Sequence, residues 1–177
     1  MTRRILRSAA LAAALWSGAT AAGASEIRVG APVVTDGMEI AAVYLQPVLM
    51  SPAEPMAGRP DIHLEADIHA VAGNVHGFEA GAWIPYLQIA YRIRKEGADF
   101  ERVGSFMPMV AADGPHYGAN VALDGPGTYR LDYEIVAPVR NGLYRHTDTE
   151  TGVADWWAPI HVGWSFKYLG TGKKGGY

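Results

Sequence analysis

The sequence predicts an all-β fold, an immunoglobulin-like antiparallel β-sandwich in a single domain, and three observations support this prediction. Apolar and polar residues alternate through several segments, turn-forming residues rich in glycine separate these segments, and no window has apolar residues at helical spacing. Roughly seven or eight short strands, each with one apolar face, imply two packed sheets. A closed barrel is the rival architecture that the same pattern allows.

The alternation is clearest in residues 61–69. Ile62 and Leu64 share one face of this predicted strand, while His63 and Glu65 share the other, because successive side chains on a strand point in opposite directions. Three further segments alternate equally well, and they are residues 87–94, 129–135 and 160–168. The weaker strand candidates are residues 26–30, 38–49, 100–110 and 120–123.

The first 24 residues have the features of a secretory signal peptide. Three arginines precede an apolar run from Ala9 to Trp16, and small residues ending in Ala22-Gly23-Ala24 follow it. The apolar run is too short to span a bilayer as a stable helix. We therefore expect cleavage after about Ala24, export to the periplasm, and one mature domain over residues 25–177.

Composition excludes several classes of protein. Loss of the three leading arginines would leave 12 of the 15 basic residues against 18 acidic ones, and nucleic-acid phosphates require a basic surface. No later apolar run reaches membrane-spanning length, so we expect a mature protein that does not span a membrane. The chain contains no cysteine, so a bound metal must be held by imidazole, thioether or oxygen.

Two segments carry residue types that bind transition metals. His63 and Glu65 lie about 7 Å apart along one strand face, and an imidazole beside a carboxylate suits a divalent ion. In residues 106–118, an Asp-Gly-Pro turn folds the chain back between Met109 and His116, and a thioether is a soft ligand that favours copper. Taken singly, each signal is weak, because strand faces are often merely solvated and methionine usually fills apolar gaps.

Two other residues are candidates of lower weight. Asp113 lies in the turn itself and could be a metal ligand, a hydrogen-bond partner of His116, or a plain turn residue. We rank the hydrogen-bonding role first. His146 lies in the polar loop 143–152; loop histidines are usually solvated, although functional residues concentrate in loops held by a sheet. The remaining histidines rank below these, and they are His69, His76 and His161.

Several long strings resemble the periplasmic iron-transport proteins of bacterial high-affinity ferrous uptake systems, which also bind copper. The similarity runs over nearly the whole of the expected mature chain. The strings that carry it are DIHLEADIHA at 61–70, GAWIPYL at 81–87, FMPMVAADGPHYG at 106–118, RHTDTETGV at 145–153 and WWAP at 156–159.

The resemblance implies an immunoglobulin-like sandwich that forms a homodimer, with a surface metal site near the dimer interface. It also implies an iron permease of the inner membrane as the partner, copper as the bound metal, and iron as a further candidate ion. The ligands that it implies are His63, Glu65, Met109, His116 and His146, with Asp113 close by.

These observations lead to the hypothesis of a metal-binding protein that supports high-affinity iron uptake and is not itself an enzyme. Copper-assisted oxidation of iron is the one catalytic role left open. The alternative hypothesis is a non-catalytic adhesion or protein-binding sandwich whose histidines are incidental, since this fold hosts many functions. A hydrolase ranks third, because the sequence has no G-x-S-x-G, P-loop or H-E-x-x-H motif.

Overall fold

The computed structural model describes residues 26–53 and 58–173, which form two antiparallel sheets. Within these ranges the only helical element is one 3-10 turn, Pro138–Asn141. The predicted all-β, single-domain sandwich is therefore confirmed, and the chain does not close into one barrel. The predicted signal peptide, residues 1–24, lies outside the described residues.

The described residues form ten strands, which are divided between the two sheets. The first sheet contains β1 (Ile27–Arg28), β2 (Val33–Thr35), β3 (Met38–Leu45), β4 (Ile62–Ala70), β7 (Met107–Ala111) and β8 (Gly114–Val121). Its order is β1-β3-β4-β8-β7, and β2 pairs with β3 as well. The second sheet contains β5 (Gln88–Lys95), β6 (Glu101–Ser105), β9 (Gly127–Val136) and β10 (Ile160–Tyr168), in the order β10-β9-β5-β6.

The core lies between the two sheets and follows the predicted alternation. On β4, Ile62 and Leu64 are fully buried, and on β9 Leu131 and Tyr133 are buried opposite them in the same core cluster. Removing this apolar surface from water is the main force that holds the sheets together. Most outward-facing residues of β9 and β5 are polar and at least partly exposed, as expected for a sheet with one solvated face.

Strand β4 departs from this pattern because both of its faces are buried over its first half. His63 and Glu65, on the side away from the core, are only 1% and 5% exposed. The chain after β3 passes over this face, where the backbone of Val48 is hydrogen bonded to the side chain of Asn120 on the neighbouring strand. The polar face of β4 is thus a buried site.

The predicted strand at residues 100–110 is in fact two strands in different sheets. Glu101–Ser105 pairs with β5 in the second sheet, whereas Met107–Ala111 pairs with β8 in the first. Phe106 is buried between them, and its amide N–H donates to the carbonyl of Ile89 (2.9 Å). This crossing brings the methionine-containing strand to the same sheet as β4.

Tyr117 on β8 is hydrogen bonded to the segment that connects β4 in the first sheet with β5 in the second. Its buried hydroxyl donates to the carbonyl of Ile84 (2.8 Å) and accepts from the amide of Leu87 (3.0 Å). The ring of Trp83 lies against its own ring, with centroids 5.0 Å apart. One hydroxyl therefore satisfies two backbone groups in a segment that lies between two strands.

Replacement of Tyr117 by phenylalanine tests this role. Tyr117→Phe leaves a buried amide and a buried carbonyl without this partner, so the free energy of unfolding should fall by about 1–3 kcal/mol. Urea-induced unfolding measures the change. Tyr144→Phe is the matched control, because the Tyr144 side chain is 87% exposed and its hydroxyl is solvated; an equal loss in both variants would contradict the assignment.

Candidate metal centre

Three side chains of types that can hold a metal ion meet on the buried outer face of the first sheet. His63 and Glu65 project from β4, and His116 projects from the adjacent β8. The Nε2 atoms of the two histidines lie 3.5 and 3.4 Å from the same carboxylate oxygen, Oε1 of Glu65. The available ligand atoms of the three residues all lie within 4.8 Å of one another, and all three residues are buried. This spacing suits a single ion.

Met109 lies at the edge of the same site. It is opposite His116 in the pairing of β7 with β8, because the turn at residues 112–113 folds the chain into a hairpin. Met109 and His63 both border the space beside Gly118. A Cβ placed on Gly118 would lie 3.3 Å from the Met109 sulfur and 2.6 Å from Nε2 of His63. A thioether thus lies on the same side of the sheet as the two imidazoles.

The two histidine nitrogens that face this space have no hydrogen bond. Within the described part of the chain, Nε2 of His63 and Nε2 of His116 are buried and unpartnered. Buried polar atoms are nearly always paired, and an unpaired one costs about 1–3 kcal/mol. Two such atoms facing one carboxylate fit a metal ion, which would accept both lone pairs.

His146 stands apart from this cluster within one chain. It is exposed, and its Nδ1 lies 2.7 Å from Oγ1 of Thr151 in its own loop. That loop is attached elsewhere, by the amide of Ala154, which donates to the carbonyl of Val75 (3.0 Å) in the segment after β4. The described chain therefore brings together four of the five predicted ligands, and it does not place His146 among them.

A cleft of about 1010 Å³ opens onto the cluster. One wall is the chain segment after β3, which includes Val48 and Met50, and the other is the β7–β8 hairpin with Met107 and Asp113. Asp113 itself is exposed, and its carboxyl is hydrogen bonded to that of Glu26. Its assignment as a hydrogen-bond partner of His116 stays a prediction.

Comparison with known proteins identifies the family. Residues 23–170, most of the chain, match the family described as Fe2+ transport protein. The chain belongs to this family. A UPF0423 protein of Brucella abortus is 48% identical over 99% of this chain and the whole of that protein.

Solved structures of similar proteins agree with this family membership. FetP of uropathogenic Escherichia coli strain F11, recombinantly expressed in the periplasm of Escherichia coli, is 52% identical, with a TM-score of 0.80 over 82% of this chain and 97% of that one. The copper-reconstituted P19 protein of Campylobacter jejuni is 47% identical, with a TM-score of 0.81 over 84% and 99% of the two chains. FetP and P19 variants have also been solved with copper bound.

Residues 26–53 and 58–173 of this Fe2+ transport family member contain no helix that could cross a membrane.

Burial shifts the pKa values of two residues of the candidate metal site, His63 and Glu65. Burial raises the pKa of Glu65 to about 8, and repulsion from Asp67, Glu26 and Asp113 adds to the effect. Burial also lowers the pKa of His63, and the nearby His116 lowers it further, against the raising effect of its hydrogen bond to Asn120.

Both shifts disfavour the charged forms, so the contact between His63 and Glu65 is not an ion pair in the metal-free protein near neutral pH. A bound cation would reverse this preference, because it favours the carboxylate and occupies the imidazole lone pairs.

Glu65 should give the stability of the metal-free protein a pH dependence. Its pKa is about 8 in the fold and 4.5 in an ordinary glutamate, so between these values the folded protein holds a proton that the unfolded chain has lost. The contribution of Glu65 to stability therefore falls as pH rises from 4.5 to about 8 and is level above that. Glu65→Gln stays neutral and lacks this loss.

The measurement is the free energy of unfolding of both metal-free proteins across that pH range. We expect them to be similar near pH 4.5 and the variant to become progressively more stable than the wild type up to about pH 8. Other titrating groups are common to both proteins, so the difference isolates Glu65. Parallel curves over the whole range would show that the carboxyl is not perturbed.

Proposed function

We propose that this protein is a periplasmic copper-binding protein that supports high-affinity iron uptake through an inner-membrane permease. The observation that carries the proposal is the pair of unpartnered imidazole nitrogens of His63 and His116, buried around the Glu65 carboxylate. The membership of the Fe2+ transport protein family connects this metal site with iron.

The donor set favours copper as the resident ion. Two imidazoles, one carboxylate and the Met109 thioether combine borderline and soft donors, and a thioether selects copper over the harder divalent ions. A bound copper ion would supply a one-electron redox couple, whereas the residues of this chain supply its binding and orientation. Oxidation of iron by copper is a further prediction and is no part of this proposal.

The copper-bound P19 variants support the same ligand positions. In separate variants a glutamate, a methionine and an aspartate are replaced. The methionine follows the glutamate by 44 positions and the aspartate follows the methionine by 4, which is also the spacing of Glu65, Met109 and Asp113 here. We propose that these three residues have corresponding positions in the metal site of this protein.

Iron is the proposed transported ion, and acidic residues beside the copper site support this role. Burial raises the pKa values of Glu26, Glu65 and Asp67, and repulsion among these carboxyls and Asp113 raises them further. A cation that approaches this rim relieves the repulsion. The rim therefore attracts divalent cations to the mouth of the cleft.

A homodimer would complete the copper site. His146 is exposed and outside the cluster in one chain, while the cleft beside the cluster is open. We propose that His146 of the partner subunit supplies the remaining imidazole across the dimer interface. Export through the leading 24 residues would place the dimer in the periplasm.

Copper titration of single variants tests the ligand set. His116→Ala and Met109→Leu should each weaken copper binding at least about tenfold, since loss of even an outer-shell partner costs about 10–100-fold in metal affinity. His161→Ala is the control, because that histidine is exposed on β10. If all three variants bind copper as tightly as the wild type does, the histidines are incidental and the adhesion or protein-binding alternative gains support.

Mixed dimers test the origin of His146. Consider a dimer of one His146→Ala chain and one His116→Ala chain. If the site is shared, one complete site forms, because the first chain keeps the cluster intact and the second supplies His146. A site formed within each chain would be incomplete in both subunits. We expect one high-affinity copper per mixed dimer and none in either parent homodimer; no copper in the mixed dimer would contradict the shared site.

A further inference from the structure

Asn120 on β8 makes three contacts that converge on one side-chain amide. The amide N–H of Val48 donates to its Oδ1 (3.1 Å), and its Nδ2 donates to the carbonyl of Val48 (2.8 Å). The same Oδ1 lies 3.0 Å from Nδ1 of His63, which is opposite Asn120 in the pairing of β4 with β8. The residue therefore joins the cleft wall to a histidine of the site.

These contacts determine which nitrogen of His63 carries the proton. A backbone N–H can only donate and a backbone carbonyl can only accept, so the two bonds to Val48 fix which end of the amide is oxygen. That oxygen faces Nδ1 of His63 and can only accept. Nδ1 must then carry the hydrogen, and the lone pair of the neutral ring is on Nε2, the atom that faces Glu65.

Gly118 leaves the space into which that lone pair points. A Cβ at this position would lie 2.6 Å from Nε2 of His63, closer than real Cβ contacts, and at a tight 3.0 Å from Cε1. The glycine backbone is not in the left-handed region, so its conformation does not require glycine. Its function is to make room, and any side chain would displace an imidazole that Asn120 holds from the other side.

We infer that Asn120 and Gly118 are positioning residues that hold His63 with Nε2 directed at the metal. Every second residue of β8 lies on one face of the strand, and this face holds His116, Gly118 and Asn120. The first is a proposed ligand, the second leaves space for His63, and the third is hydrogen bonded to His63. The inference rests on the proposed copper-binding function for its purpose. The tautomer of His63, however, is a property of the metal-free protein and can be measured without copper.

The first experiment measures the His63 tautomer by ¹⁵N NMR of the metal-free protein, well above the ordinary imidazole pKa of about 6.5. The His63 signals are assigned by their loss in His63→Gln. Wild type and Asn120→Asp, which keeps an acceptor oxygen, should both show the Nδ1–H form, whereas Asn120→Leu should show the Nε2–H form in addition. An unchanged tautomer in a folded Asn120→Leu protein would overturn the role of Asn120.

The second experiment measures copper affinity and the electron paramagnetic resonance spectrum of bound Cu(II). Asn120→Leu and Gly118→Ala should each bind copper about 10–100-fold more weakly with an altered spectrum, whereas Asn120→Asp should bind no more weakly than wild type. Gly104→Ala is the matched control, because its Cβ would also meet a side-chain tip, the Tyr91 hydroxyl, in the other sheet. Its affinity and spectrum should match the wild type.

The outcomes separate the inference from the proposed function. If wild type binds no copper, the proposed function fails, and the NMR result still decides how His63 is held. If wild type binds copper and Gly118→Ala binds it equally well with the same spectrum, the role of Gly118 is overturned. Far-ultraviolet circular dichroism and urea unfolding show that each variant folds. If Asn120→Leu does not fold, an Nε2–H tautomer of His63 in the wild type would still overturn the role of Asn120.

Discussion

Burial of polar atoms without partners is the constraint on which this structure depends. A protein interior rarely tolerates one unpaired imidazole nitrogen, yet here two face the same carboxylate on the outer side of a central strand. Unpaired buried nitrogens lower the stability of the metal-free protein. A cation that accepted both lone pairs would remove this cost, so the proposed metal binding would stabilise the fold.

The sandwich supports this arrangement through the position of β4. Its inner side chains join the apolar core, and its outer side chains are covered by the chain after β3 and flanked by the β7–β8 hairpin. The same burial that excludes water raises the pKa of Glu65 and lowers that of His63. A low-dielectric site of this kind strengthens the interaction with a bound ion, since fewer waters screen its charge.

The sequence predicts much of the scaffold and part of the site. Alternation alone places His63 and Glu65 on one face, and the turn near Asp113 explains why Met109 and His116 meet. Burial of that face was beyond sequence reasoning, because the covering segment has no periodic pattern. His146 entered the ligand set only through family resemblance, and within one chain its loop lies elsewhere. Asn120 was missed, although its spacing of four from His116 on one strand was a usable signal.

X-ray diffraction from copper-soaked crystals, with anomalous differences collected on both sides of the copper edge, shows whether copper binds between these side chains. We expect a strong anomalous peak within bonding distance of Nε2 of His63 and Nε2 of His116, with the Met109 sulfur and the Glu65 carboxylate beside it. A copper peak at another histidine, such as His76 or His161, with no density between His63 and His116, would contradict it.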